Sequence, residues 1–254
     1  MLPNASLDGF REKAFNPALP ALLPRQFFAE LPAIGKWFMR RKIGDAMALN
    51  TDYLADYGDT VVPLEITLND QFVRVEQELS FFLDAAKMDA RPALIYLAQA
   101  SLSDLPPGLT ADLPTPSLIL EADKGDIYSS SIWLGLAPTY TPLHRDPNPN
   151  LFVQLAGKKV VRLFRPNDGS NIFDRVQERI GGRASASMRG EEMMHGREKE
   201  VLEDVVWGGR SEGDEECWEA ELASGDGLFI PKGWWHSIRG VGSGMTGSVN
   251  WWFR

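Results

Sequence analysis

Several things are scarce in this sequence. Cys217 is the only cysteine in 254 residues, so no disulfide can close within the chain. That composition fits a reducing compartment. No apolar run approaches the ~20 residues that a membrane-spanning helix needs. The opening stretch, MLPNASLDGFREK, lacks a basic start followed by an apolar segment, so no secretory signal is expected there. The expected location is cytoplasmic, nuclear or both, with no membrane partner. Basic residues are in deficit: 26 Lys and Arg face 35 Asp and Glu, a formal net charge of −9. General nucleic-acid binding relies on basic surface, which this balance disfavours. The local cluster of Lys36, Arg40, Arg41 and Lys42 reads first as a solvated helix face. No internal repeat is found. Histidine is scarce as well, with three copies, at 144, 195 and 236.

What is present is ordinary globular material with an excess of tryptophan. Hydrophobic residues make up 44% of the chain, enough for a sizeable core. Four of the eight tryptophans fall in the last 21 residues. Residues 1–33 carry many prolines and read as an extended arm with at most one short helix. Residues 34–57 look helical, with Trp37, Phe38 and Met39 as anchors. The β-branched run from Asp59 to Ile66 predicts a strand. Between 70 and 90, Phe72, Val75, Leu79, Phe82 and Leu83 fall at helical spacing. Ala93 to Ala98 reads as a buried strand, and 101–117 as a loop with a helical turn. From about 117 onward short apolar runs alternate with Gly, Pro, Asn and Asp. Runs at 131–136, 151–155, 159–164, 227–231 and 248–253 suggest an all-β sandwich or barrel. A charged, Gly-rich stretch at 167–216 interrupts them as an insertion, either a lid or a surface loop.

The sharpest local feature is His144-Arg145-Asp146. In a strand, residues i and i+2 share a face, so this His and Asp can reach one metal ion. A second imidazole would complete the two-His, one-carboxylate set suited to non-haem Fe(II). The tripeptide alone is weak evidence, because 35 acidic residues among 254 make a His-x-acid match commonplace. His236 adds context. It follows Gly225-Asp226-Gly227, the apolar Leu228-Phe229-Ile230 and the turn Pro231-Lys232-Gly233, which deliver it from a second strand. His195 lies in the charged insertion and reads as an exposed histidine.

With these residues in hand, a family resemblance emerges. Thr141-Pro142-Leu143-His144-Arg145-Asp146, then Asn150-Leu151, Gln154, Gly157 and Lys159, resemble the Jumonji-C, cupin-like Fe(II)/2-oxoglutarate dioxygenases. The stretch from Gly225 to His236 and the closing Ser248-Val249-Asn250-Trp251-Trp252-Phe253 look like the distal half of the same domain. Tyr96-Leu97-Ala98-Gln99 is similar to a segment upstream of the core in the small hydroxylase branch.

The resemblance implies a mainly β fold with flanking helices around a double-stranded β-helix (jelly-roll, cupin) core. It implies an N-terminal segment over 1–90 packed on a Jumonji-C domain over 91–254. His144, Asp146 and His236 are then the expected catalytic metal ligands. Lys159 is expected to pair with the distal carboxylate of 2-oxoglutarate, with Thr141 and Tyr96 adding hydroxyl contacts. Asn150 is expected near its proximal end, and Asn250 and Trp252 face the site if their strand register holds. The implied cofactors are Fe(II), 2-oxoglutarate as co-substrate, and O2. The implied activity is hydroxylation of a protein or peptide side chain with release of succinate and CO2. Alternatives are hydroxylation of a tRNA base or small metabolite, histone lysine demethylation, or ligand binding by a non-catalytic cupin. A dimer is compatible with the sequence, which carries no interface signature.

Overall fold

A computed structural model describes residues 1–4, 6–41, 46–69, 71–88, 93–182, 193–209 and 215–254. The N-terminal arm holds α1 (Leu7–Phe10), which Ser6 caps through Gly9 N–H, followed by one π-helical turn. After it come β1 (Ala21–Leu22), α2 (Pro32–Trp37), β2 (Phe38–Arg40), β3 (Met47–Leu49) and α3 (Thr51–Leu54). The hairpin β4 (Val61–Leu68) and β5 (Gln71–Glu78) leads into α4 (Leu79–Lys87), β6 (Leu94–Ser101), α5 (Pro107–Ala111) and α6 (Ser117–Ala122). Then follow β7 (Ile127–Leu136), β8 (Thr139–Arg145), β9 (Asn150–Ala156) and β10 (Lys158–Phe164). Helices α7 (Pro166–Ile180) and α8 (Gly196–Trp207) precede β11 (Trp218–Ala223), β12 (Gly227–Ile230), β13 (Trp235–Val241) and β14 (Met245–Phe253).

Two antiparallel sheets make the core. One has eight strands in the order β1-β12-β9-β14-β7-β6-β4-β5, and the other has four, β11-β10-β13-β8. The architecture is the expected jelly roll with flanking helices. Strand β9 is buried along its whole length, and Leu151 and Val153 join Val249, Trp251 and Phe253 of β14 in the largest hydrophobic cluster. Gly157 alone separates β9 from β10. Its φ of +67° is open to glycine, and a Cβ there would lie 2.7 Å from the Met245 carbonyl oxygen.

The described part of the 167–216 stretch is mostly two helices. Pro166 opens α7, Gly181 closes it in the left-handed region, and Ile172, Phe173 and Val176 form its buried stripe. With Leu202 and Val206 of α8 they pack on Leu143, Phe164 and Trp235, on the outer face of the four-stranded sheet. Residues 183–192 and 210–214 of this stretch lie outside the described residues. So do Lys42 and the expected boundary near residue 90.

Two expectations are corrected. Residues 34–57 are not one helix: α2 ends at Trp37, and a small hairpin of β2 and β3 follows. Arg40 is therefore a strand residue, and Lys36 bonds to a carboxylate instead of facing solvent freely. Residues 71–78 are a strand, not the start of a helix, because they pair residue for residue with β4 along the sheet edge. Most of their side chains are exposed, so no alternation marks them.

A buried carboxylate ties the N-terminal elements together. Asp112 accepts from Lys36 Nζ at 2.6 Å, Trp37 Nε1 at 2.9 Å and Tyr53 hydroxyl at 2.6 Å. Burial pushes its carboxyl up, but the three donors outweigh that and hold it below the usual range. Asp112→Ala strands three donors, one of them charged, and is expected to lower the unfolding free energy by ~3 kcal/mol in urea titration. A loss below ~1 kcal/mol would show that the hub contributes only locally.

Candidate active site and metal centre

The strand pattern converges on one small cavity between the two sheets. β8 and β13 pair antiparallel, with His144 directly opposite His236. The two imidazole centroids are 4.1 Å apart. Asp146, two residues on from His144, returns to the same face. Ligand atoms of His144, Asp146 and His236 all lie within 4.8 Å of one another, the only such acidic or imidazole group of three among the described residues.

The surroundings orient each of them. His144 Nδ1 lies 2.8 Å from the Pro142 carbonyl oxygen, and His236 Nδ1 lies 3.2 Å from that of Trp234. A carbonyl only accepts, so both Nδ1 atoms carry the proton and both Nε2 atoms are free to ligate. Burial pulls His236 down to about 4, the neighbouring His144 adds to that, and Asp146 opposes it. The imidazole is thus neutral at physiological pH, so its 3.7 Å approach to Asp146 is not an ion pair there. Asp146 Oδ2 accepts from Trp252 Nε1 at 2.8 Å and Asn150 Nδ2 at 3.2 Å. Asn250 in turn donates to Asn150 Oδ1 at 3.1 Å. Two imidazoles and one oriented carboxylate fit a divalent first-row metal.

Lys159 enters the same cavity from β10. It is 2% exposed, and its ammonium donates to Ser248 Oγ at 2.7 Å and Tyr96 hydroxyl at 3.4 Å. Phe152 and Tyr96 present ring faces to it at 5.5 and 6.0 Å. No carboxylate among the described residues neutralises it, and burial alone pulls it down to about 7. A buried ammonium in that state fits an anionic ligand group.

The sequence-predicted residues Tyr96, Thr141, His144, Asp146, Asn150, Lys159, His236, Asn250 and Trp252 all line this cavity of about 50 Å³. Trp133, Phe152, Ile238 and Ser248 complete it and escaped the sequence reading. Ser248 was within reach, since it shares the period-2 face of Asn250 and Trp252. The four C-terminal tryptophans divide. Only Trp252 lines the cavity, while Trp234, Trp235 and Trp251 sit in three separate hydrophobic clusters. His195 is exposed, with its ring 5.5 Å from Phe72 and away from the triad. A larger apolar cavity of about 570 Å³ lies beyond Tyr96, which is the one residue it shares with the triad cavity.

The cupin-like domain family matches residues 33–254. The chain belongs to that family. Its Jumonji-C character is seen in the relatives it resembles. Jumonji C domain-containing protein 5 of Drosophila melanogaster is 28% identical over 257 residues, covering 97% of this chain and 58% of that protein. Lysine-specific demethylase JMJ30 of Arabidopsis thaliana is 27% identical over 257 residues, covering 98% of this chain and 53% of that protein. Lysine-specific demethylase 8 of Danio rerio is 29% identical over 160 residues, covering 62% of this chain and 36% of that protein. The chain spans about half the length, or less, of these relatives. Jumonji-C enzymes use Fe(II) and 2-oxoglutarate, and the donor set and the lone ammonium of this Jumonji-C chain are compatible with both. Among the described residues no helix is long and apolar enough to cross a membrane.

The buried ammonium has a measurable signature. In the ligand-free protein Lys159 releases its proton near pH 7, whereas the unfolded chain holds it to about 10.5. Between those values the unfolded state binds more protons, so stability rises with pH, by up to ~1.4 kcal/mol per pH unit. Tyr96 and Tyr140, both pushed up chiefly by burial, act in the opposite sense above pH 10.0. Melting curves between pH 7 and about 8 isolate the lysine, because the Cys217 thiol, raised from 9.0 by burial, acts in the opposite sense above that range. Lys159→Met is expected to flatten the profile, and a flat native profile would contradict a buried, unneutralised ammonium.

Proposed function

We propose that this chain is an Fe(II)- and 2-oxoglutarate-dependent oxygenase that hydroxylates a side chain of a protein substrate, releasing succinate and CO2. One observation carries the reading: the His144, Asp146 and His236 donors and the unneutralised Lys159 ammonium share one cavity between two sheets. His144, Asp146 and His236 are the assigned metal ligands. Fe(II) with 2-oxoglutarate and O2 supplies the oxidising chemistry when bound there.

The chain's own groups do the positioning. Both histidines present Nε2 because carbonyls hold Nδ1. Trp252 and Asn150 hold one oxygen of Asp146, which orients the carboxylate towards the imidazoles. Lys159, assisted by Ser248, Tyr96 and Thr141, takes the distal carboxylate of 2-oxoglutarate, and Asn150 and Asn250 border its other end. Trp133 and Trp252, edge to face at 5.7 Å, wall the cavity and limit water. The net charge of −9 and the absence of a basic cluster among the described residues that line the cavity favour a peptide over RNA.

A second reading has its own support. Two of the three relatives described above are named lysine-specific demethylases, which favours N-methyl-lysine as the group oxidised. The two reactions part at the product. Hydroxylation leaves the added oxygen on the peptide, whereas demethylation removes a methyl group and releases formaldehyde.

The test is an anaerobic titration with Fe(II) and 2-oxoglutarate, followed by the visible charge-transfer band of the chelate. The native chain is expected to give the band and His144→Ala to lose it. Lys159→Ala is expected to weaken 2-oxoglutarate at least ~100-fold, as for loss of one partner of a buried charge pair. Metal binding without the band would overturn the 2-oxoglutarate assignment, and no metal binding would overturn the enzyme. Mass spectrometry and formaldehyde detection on a peptide panel then separate hydroxylation from demethylation.

A further inference from the structure

The pairing of β8 with β13 contains an irregularity at the site. From the pair His236 with His144 to the pair Ile238 with Thr141, β13 advances two residues and β8 advances three. The extra residue is a β-bulge in β8, with Pro142 and Leu143 opposite Ser237. Its consequence follows from strand alternation. In a regular strand Thr141 and His144, three apart, would point to opposite faces. The bulge puts both on the cavity, while Leu143 packs outward against α7 and α8.

The bulge is held from the outer face of the sheet. Ser237, fully buried, donates from Oγ to the Thr141 carbonyl at 2.8 Å. Trp207, the last residue of α8, donates from Nε1 to Ser237 Oγ at 2.9 Å. The indole itself is fixed. The guanidinium groups of Arg162 and Arg239 each lie 4.5 Å from its ring centroid. Arg162 is the β10 partner of Ser237, so these groups share one patch of the outer face. Arg162 also bonds Glu219 at 2.8 Å and the Val206 carbonyl at 2.6 Å, and Arg239 bonds Glu203 at 2.7 Å.

We propose that Trp207 is a positioning residue: the chain Trp207 Nε1, Ser237 Oγ and Thr141 carbonyl holds the β8 bulge in the register that aligns Thr141 with His144. On this view α8 braces the metal and co-substrate face from behind. It is not a lid over the cavity mouth. The bulge carbonyls divide cleanly: Ser237 takes that of Thr141, and His144 Nδ1 takes that of Pro142. Losing the first link frees the backbone three residues before the ring that uses the second.

The ligand part of the test rests on the oxygenase reading, and the backbone part does not. The variants are Trp207→Phe, which keeps an aromatic ring but not the donor, Ser237→Ala, and Ser237→Thr, which keeps a hydroxyl. Hydrogen exchange in the peptide spanning 139–146 is expected to quicken ~5- to 10-fold in Trp207→Phe and Ser237→Ala, as for loss of one net hydrogen bond, with the α7 peptides unchanged. In Co(II)-loaded protein, calorimetry with 2-oxoglutarate is expected to show binding weakened by a similar ~5- to 10-fold factor. Ser237→Thr should stay within ~2-fold of native, and the double variant Trp207→Phe/Ser237→Ala should be no worse than Ser237→Ala, because the links are in series. Unchanged exchange at 139–146 in both single variants would overturn the proposal whatever the protein binds. Quickened exchange with unchanged 2-oxoglutarate affinity would overturn the positioning role. A native chain that takes up neither Co(II) nor 2-oxoglutarate would sink the oxygenase reading, and the exchange experiment would still decide the bulge.

Discussion

His144 and His236 face each other across β8 and β13, and the rest of the cavity is arranged around that pair. Two imidazoles at 4.1 Å cannot both be charged in a buried site, and burial with mutual repulsion keeps His236 neutral. Carbonyls pin both Nδ1 atoms and leave the two Nε2 atoms free to meet at one point. Asp146 adds a negative oxygen, itself oriented from the opposite sheet by Trp252 and Asn150. The sheets are therefore coupled through the carboxylate as well as through hydrophobic packing. Strands β8 and β13 carry the two histidines, Asp146 follows directly on β8, and Asn150 of β9 and Trp252 of β14 orient its carboxylate.

Lys159 is the second constraint. Carrying an ammonium into the interior between two sheets is unfavourable unless something compensates. Ser248 and Tyr96 supply oxygen atoms, and two aromatic faces supply quadrupole attraction, but none carries negative charge. The protein thus holds an electrostatic demand that an anionic ligand can satisfy. This polarity gives the cavity a direction, with the two imidazoles and the Asp146 carboxylate at one end and a cation at the other.

The helical stretch between the two halves of the barrel bears on the same geometry from outside. α7 and α8 bury an apolar cluster on the back of the four-stranded sheet, including Leu143 beside His144 and Trp235 beside His236. Each of the two cavity histidines accordingly has a strand neighbour locked into an outer core. Close packing of this kind transmits small shifts, so residues far from solvent access to the cavity can still influence its alignment.

Much of the site was legible in the sequence because its rules are local. His-x-Asp at period 2, a glycine and proline frame before His236, and short apolar runs between turn residues all survive without tertiary information. The resemblance then assigned Lys159, Tyr96 and Thr141, which composition alone could not. Where neighbours in space decide, local rules failed. The 71–78 segment shows helical spacing yet is a strand, because its hydrogen-bond partner is β4 and its side chains are mostly exposed. The hairpin within 34–57 is similarly decided by pairing between β2 and β3. The four C-terminal tryptophans looked alike in the sequence, but strand register sent three of them to hydrophobic clusters and one to the cavity. The bulge in β8 was invisible because it is a relation between two strands some ninety residues apart. Strand alternation by itself determined which residue types could meet a metal. Only the folded pairing of β8, β10 and β13 with β9 and β14 decided that they share one cavity, because a one-residue change of register reverses every face.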